Sequence, residues 1–217
     1  MAKTWPPDPS ATKNRKSVFS GLSAASIASL PGLPIADGGN PENFLDDRAQ
    51  AMVDVIRSNQ SLYASDPEKF KAKINTIFEP MVDFRRVGAS VMGKKYYKAA
   101  SKDQRLRFIS AFKKSLLDTY SSTLAQWGDQ TIETHFSQKT IFVKTEDVNQ
   151  SLVASNSIYP ITYKVRNDGN GNWLIINIIV NGVNLGLTFR NQFQALALEH
   201  NENIDEIINN WVTDADF

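Results

Sequence analysis

At 217 residues, with 41% hydrophobic and 22% charged residues, the chain has enough material for one sizeable core and reads as globular. Lys and Arg number 24 against 23 Asp and Glu, a net charge of +1 that makes no general case for a nucleic-acid partner. Cysteine is absent, which excludes disulfides, thiolate metal sites and cysteine nucleophiles together.

Residues 1–40 differ in kind from the rest. A polar, proline-rich leader carries Lys13, Arg15 and Lys16 and is followed by the uncharged run SVFSGLSAASIASLPGLPIA. Basic residues before an uncharged, small-residue segment make a weak signal-like pattern, with a tail as the alternative reading. Residues 41–217 are expected to form a single domain.

Helices come first. In 41–60, Phe44, Leu45, Ala49, Met52 and Ile56 recur at about one helical turn. Asp66-Pro67 opens a second helix, with Phe70, Ile74, Ile77 and Phe78 on one face and Pro80 as its expected end. A short third helix is expected to carry Met81, Val82 and Phe84, and a fourth to run near 87–98. Over 101–127, Ser101 and Gln104 have capping-box spacing. Leu106, Ile109, Phe112, Leu116, Tyr120, Leu124 and Trp127 then mark one helical stripe.

After Gly128 the period changes to two. QTIETHF (130–136), KTIFVKTE (139–146) and IYPITYKVR (158–166) read as strands, with a turn at Asn167-Asp168-Gly169. The stretch NWLIINIIVNGVNLGLTF, 172–189, has no charged side chain. Four asparagines and the Asn181-Gly182 turn signal make it a poor membrane span and a good hairpin. Strands are therefore expected at 172–180 and 183–189. In the first, Trp173, Ile175 and Ile179 should face one way and Leu174, Ile176, Ile178 and Val180 the other. A strand apolar on both faces must be covered on both. From about Asn191 the chain turns helical again, with Phe193, Leu196, Ile204, Ile207, Ile208 and Trp211 on the buried side. The predicted class is α+β: helices, then an antiparallel sheet, then closing helices.

Catalytic patterns are sparse. Neither H-x-x-x-H nor H-E-x-x-H occurs, and G-x-x-x-x-G-K-[ST] and G-x-S-x-G are also missing. His135 is the one candidate general base; with a nearby carboxylate it would make the protein a small hydrolase or isomerase. No metal and no cofactor are expected. The run 94–114 carries Lys94, Lys95, Lys98, Lys102, Arg105, Arg107, Lys113 and Lys114 against Asp103. It is either a solvated helix face or a surface for anionic headgroups or an acidic partner.

One region carries a more specific signal. In FEPMVDFRRVGASVMGKKYYKAASKDQRLRFISAFKKSLLDTYSSTL, 78–124, the residues Pro80, Asp83, Phe84, Gly93, Tyr97, Ser101, Gln104, Arg105, Phe108, Phe112, Leu116 and Tyr120 stand in a characteristic order. Downstream, a strand opening on Trp173 leads to Gly182-Val183-Asn184-Leu185. Together these segments resemble the MlaC family, the toluene-tolerance periplasmic phospholipid-binding proteins, over about 42–213. Asn177 departs from the family, which commonly has Asp there. The resemblance implies a strongly curved sheet enclosing an apolar cavity with its helices. It implies a periplasmic, non-catalytic carrier, expected as a monomer, with phospholipid as its only ligand. It also implies exchange with an inner-membrane ABC transporter bearing an MCE-domain ring and with an outer-membrane lipoprotein–porin complex, maintaining outer-membrane lipid asymmetry. The expected lipid-binding residues are Met81, Phe84, Val87, Val91, Tyr120, Ile161, Tyr163, Ile175, Val183 and Leu185, with Tyr120 and Val183 at matching family positions.

Overall fold

The computed structural model describes residues 39–212. The signal-like reading of 1–40 therefore lies almost wholly outside the described residues. In chain order the elements are α1 (Pro41–Ser65), α2 (Pro67–Met81), α3 (Phe84–Ala99), α4 (Lys102–Ala125), β1 (Thr131–Thr134), β2 (Thr145–Ala154), β3 (Ser157–Asn167), β4 (Trp173–Val180), β5 (Val183–Asn184), α5 (Leu185–Glu199) and α6 (Ile204–Asn209). The strands form one antiparallel sheet in sequence order. The α+β class is as expected.

The helix starts follow local chemistry. Asn40, Asp66, Asp83, Ser101, Asn184 and Asn203 each accept hydrogen bonds from backbone N–H groups of the first turn they precede, and Ser101 with Gln104 closes the full capping box. Pro41 and Pro67 occupy first helical positions, where a missing N–H removes no intrahelical bond.

Several boundaries depart from expectation. Pro80 lies inside α2, which continues to Met81. The expected third helix does not form: Met81 ends α2 and Val82 is extended, bridging Ile175. Phe84 opens α3, which takes in the expected fourth helix and is broken within by Gly93 at φ 72° and ψ 165°, a conformation that favours glycine. Residues 139–143 are not a strand; pairing begins at Thr145. Val148, Gln150 and Leu152 are the buried side of β2. A glutamine in the middle of that buried row breaks the apolar alternation and hides the strand from a period-two reading.

The expected strand 183–189 contracts to Val183 and Asn184, and α5 starts at Leu185. Asn184 decides this: its side chain accepts from Leu187 N and turns the chain into a helix. Leu185, Phe189 and Phe193 then fall four apart on the inward face of α5.

The faces of β4 also differ. Lys164 is opposite Asn177 and Val165 opposite Ile175, so Ile176 is an extra residue with no partner on β3. Beyond it the pleat reverses. Trp173 and Ile175 share the inner face with Ile178 and Val180, while Ile179 stands opposite Thr162 and Asn184.

The core is divided among three apolar clusters. Helices α3 to α6 pack around Phe108, Phe112, Phe193 and Trp211. Edge-on rings fill that space: Phe108 meets Phe193 at 5.1 Å and 86°, and Trp211 at 5.2 Å and 82°. Leu45 and Met81 pack with Val148, Val165, Trp173 and Ile175 of the sheet. Ile56, Phe70 and Ile74 form the third cluster, between α1 and α2, with Leu117 and Leu124 of α4 against it.

Candidate functional site

The three clusters leave a hollow between them. Leu45, Met81 and Ile175 from the sheet cluster, Ile56 and Ile74 from the α1–α2 cluster, and Phe84, Phe112 and Phe189 from the aromatic cluster all border one pocket of about 450 Å³. The floor is the inner face of the sheet, with Gln150, Leu152, Ile161, Tyr163, Ile178 and Val180. Helix α4 adds Leu116, Tyr120, Ser121 and Leu124. The lining contains no Lys, Arg, Asp, Glu or His. Burial pushes the Tyr163 hydroxyl up to about 12, so it stays protonated.

Geometry sorts the expected lining residues. Met81, Phe84, Val87, Tyr120, Ile161, Tyr163, Ile175, Val183 and Leu185 all border the pocket. Val91 does not: it is fully buried in the aromatic cluster, so its expected place in the lining is corrected. Its position on α3 lies beyond Phe84 and Val87, where the helix has left the pocket and packs on α4 and α5. Val183 is 38% exposed and shares the pocket edge with exposed Asn181. Gln150, Leu152, Phe112 and Phe189 join the lining without having been singled out. The stripe of α4 held the signal for Phe112, whereas Gln150 carried none that periodicity could detect.

His135 lies elsewhere. It is exposed, and its Nε2 is 2.9 Å from Ser151 Oγ. Ser151 alternates with Gln150 and Leu152, which face the pocket, so this pair occupies the opposite face of the sheet. The partner of His135 is a hydroxyl, not the carboxylate the enzymatic reading called for. Among the described residues no group of three or more His, Cys, Asp or Glu could hold a metal ion, and no helix is long and apolar enough to cross a membrane.

The basic run is largely bound within the protein. Lys95 pairs with Glu202, Arg107 with Asp103 and Asp205, Lys113 with Glu79, and Lys114 with Asp118. Arg105 donates to Tyr97 O at 2.8 Å, its guanidinium 4.4 Å from the Tyr97 ring centroid. Lys94, Lys98 and Lys102 have no ion pair among the described residues.

The family model described as MlaC protein matches residues 46–213. The chain belongs to the MlaC family. Within that family it is 31% identical over 186 residues to the toluene tolerance protein ttg2D of Pseudomonas putida, covering 85% of each chain. The Haemophilus influenzae intermembrane phospholipid transport system binding protein MlaC is 24% identical over 149 residues, covering 67% of this chain and 69% of that one. A phospholipid-binding protein from Ralstonia solanacearum, solved in complex with a phospholipid, shares the fold. Its TM-score is 0.71 at 18% identity, over 78% of this chain and 93% of its own. For this MlaC family member, the residues the family model matches include every lining residue of the pocket except Leu45.

Proposed function

We propose that the pocket holds the acyl chains of a phospholipid and that the protein carries lipid through the periplasm. It would exchange lipid with an inner-membrane transporter bearing an MCE-domain ring and with an outer-membrane lipoprotein–porin complex. The observation that supports this most is the uncharged hollow between the three clusters. Acyl chains offer no hydrogen bonds, so their site needs apolar wall and little else. At about 450 Å³ the hollow is within the usual ligand-pocket range of roughly 300–1,000 Å³. Family membership and the names of its relatives point the same way.

The energetics favour handover over capture. Two acyl chains with roughly 30 methylenes at about 0.8 kcal/mol each would release on the order of 24 kcal/mol on leaving water. That exceeds the noncovalent ceiling of about 18–21 kcal/mol. The lipid therefore comes from a bilayer or a partner that already shields it, and net transfer lies near zero in either direction. Carriage needs no proton transfer, so the role calls for no catalytic group.

Organic extraction of the purified protein followed by mass spectrometry tests the proposal. Phospholipid is expected in the extract, and His135→Ala should retain it. A protein that is empty as purified and takes up no lipid from vesicles overturns the carrier reading; ester turnover lost in His135→Ala would put the enzymatic reading in its place.

A further inference from the structure

A second, smaller hollow of about 320 Å³ lies between α3 and α5, bordered by Gly93, Lys94 and Lys95, by Arg190 and Leu198, and by Glu202. Gly93 makes the room. A Cβ there would stand 3.3 Å from Arg190 Nη2, so the guanidinium lies against bare backbone. Lys95 is engaged with Glu202, whose carboxylate also accepts from Tyr96 Oη at 3.3 Å. Arg190 and Lys94 are exposed and have no ion pair among the described residues. The basic run is thus mostly neutralised within the protein, and one of its free lysines meets an arginine from a distant part of the chain.

The same side of α5 is apolar at both ends. Phe189, Phe193 and Ala197 are buried, whereas Leu187 is 54% and Leu198 75% exposed, with exposed Arg190 and Gln194 between them. These four recur at spacings of three or four residues, which places them on one helix face. Leu187 lies in the first turn of α5, four residues after Val183 at the edge of the lipid pocket. The strip therefore begins beside the mouth and ends at the basic hollow.

We propose that this strip docks the protein on an anionic bilayer surface. Arg190 and Lys94 take lipid phosphate groups in the hollow, and Leu187 and Leu198 enter the interfacial layer. Apolar and basic side chains together on one exposed helix face supply both parts of an interfacial contact. Continuity with the pocket edge favours a lipid surface over an acidic protein, because that edge is where a lipid passes in or out. The contact is weak and reversible, as a carrier requires: each cation near an anionic surface strengthens binding about fivefold, and salt screens the effect. This rests on the carrier reading above, which lipid occupancy tests separately.

Flotation with vesicles of phosphatidylcholine, with and without phosphatidylglycerol, tests the proposal. The wild-type protein should float with the phosphatidylglycerol vesicles only, and less as salt rises. Lys94→Gln combined with Arg190→Gln should weaken binding about 25-fold, and Arg190→Lys should keep it. Leu187→Ser combined with Leu198→Ser should weaken binding at every salt concentration. Lys113→Gln combined with Lys114→Gln removes the same charge from elsewhere in the basic run and should leave binding close to wild type. Equal loss in the two charge pairs reduces the effect to overall charge and overturns the proposal. Wild-type protein that ignores anionic vesicles at low salt also overturns it, and leaves the strip to an acidic protein partner. Mass spectrometry of bound phospholipid in the same samples separates the two readings: an empty wild-type protein fails the carrier reading, whereas a loaded protein that does not float fails only this one.

Discussion

The side-chain oxygen of Asn177 accepts a hydrogen bond from Gly186 N at 3.0 Å, and a Cβ on Gly186 would stand 2.5 Å from that same oxygen. Asn177 Nδ2 also donates to Asn184 Oδ1 at 3.0 Å, and Asn184 caps α5. One asparagine on β4 thus fixes where the sheet ends and the closing helix begins. Its role is accounted for by these bonds.

Gly186→Ala should therefore destabilise the domain by about 1–3 kcal/mol, the usual range for overpacking a tight site. In a double-mutant cycle with Asn177→Ala, the loss in the double variant should be less than the sum of the single losses, because removing the asparagine relieves the clash. Additive losses in urea unfolding would mean that the two residues do not act as one unit.

Val183→Glu should abolish lipid loading without unfolding the domain. Val183 is 38% exposed at the pocket edge, so the carboxylate can reach water in the empty protein. With acyl chains in place it would be desolvated, at a cost of several kcal/mol. Native mass spectrometry showing wild-type lipid occupancy would remove Val183 from the site.

Packed core and hollow should respond oppositely to a change of volume. Phe193→Ala empties the aromatic cluster, where the ring is fully buried, and should cost about 3–5 kcal/mol in stability. Ala49→Trp, on the pocket side of α1, should fill the hollow and block lipid loading while leaving the thermal midpoint largely unchanged. Thermal melts and lipid occupancy on the two variants check both outcomes.

Acid should loosen the helical layer. A hydrogen bond from Lys113, with a second from Asn75, holds the Glu79 carboxyl below its usual range. Arg107 and Gln104 do the same for Asp205, and Lys95 for Glu202. Their folded-state pKa values lie below the unfolded ones. The stabilisation is therefore fully present above the ordinary carboxylate range, near pH 4, and is lost as pH falls through the lowered values. The thermal midpoint should stay level from pH 7 to 5 and drop below about pH 4, less steeply in Asp205→Asn. These groups are exposed, so each contribution is small. A midpoint unchanged down to pH 3 would contradict this account.

The sequence by itself determined the α+β class, the two proline-opened helices, the capping box of α4 and the turn at Asn181-Gly182, because each depends on interactions within a few residues. It also carried the family, through residues spread along 78–124 and 173–185. Tertiary structure decided what periodicity could not. The extra residue Ile176 reversed the faces of β4, since register depends on the neighbouring strand. Asn184 and Asn177 turned an expected strand into α5, since a run that is apolar throughout supports either structure until its end is capped. Nine expected lining residues border the pocket, but Val91 could not be told from them in sequence: an apolar side chain facing a hollow and one facing a packed core look alike along the chain. Gln150 is the converse case. Its polarity hid β2 from a pattern search, and only the three-dimensional structure shows it buried in the pocket wall with its amide hydrogen-bonded to Thr134.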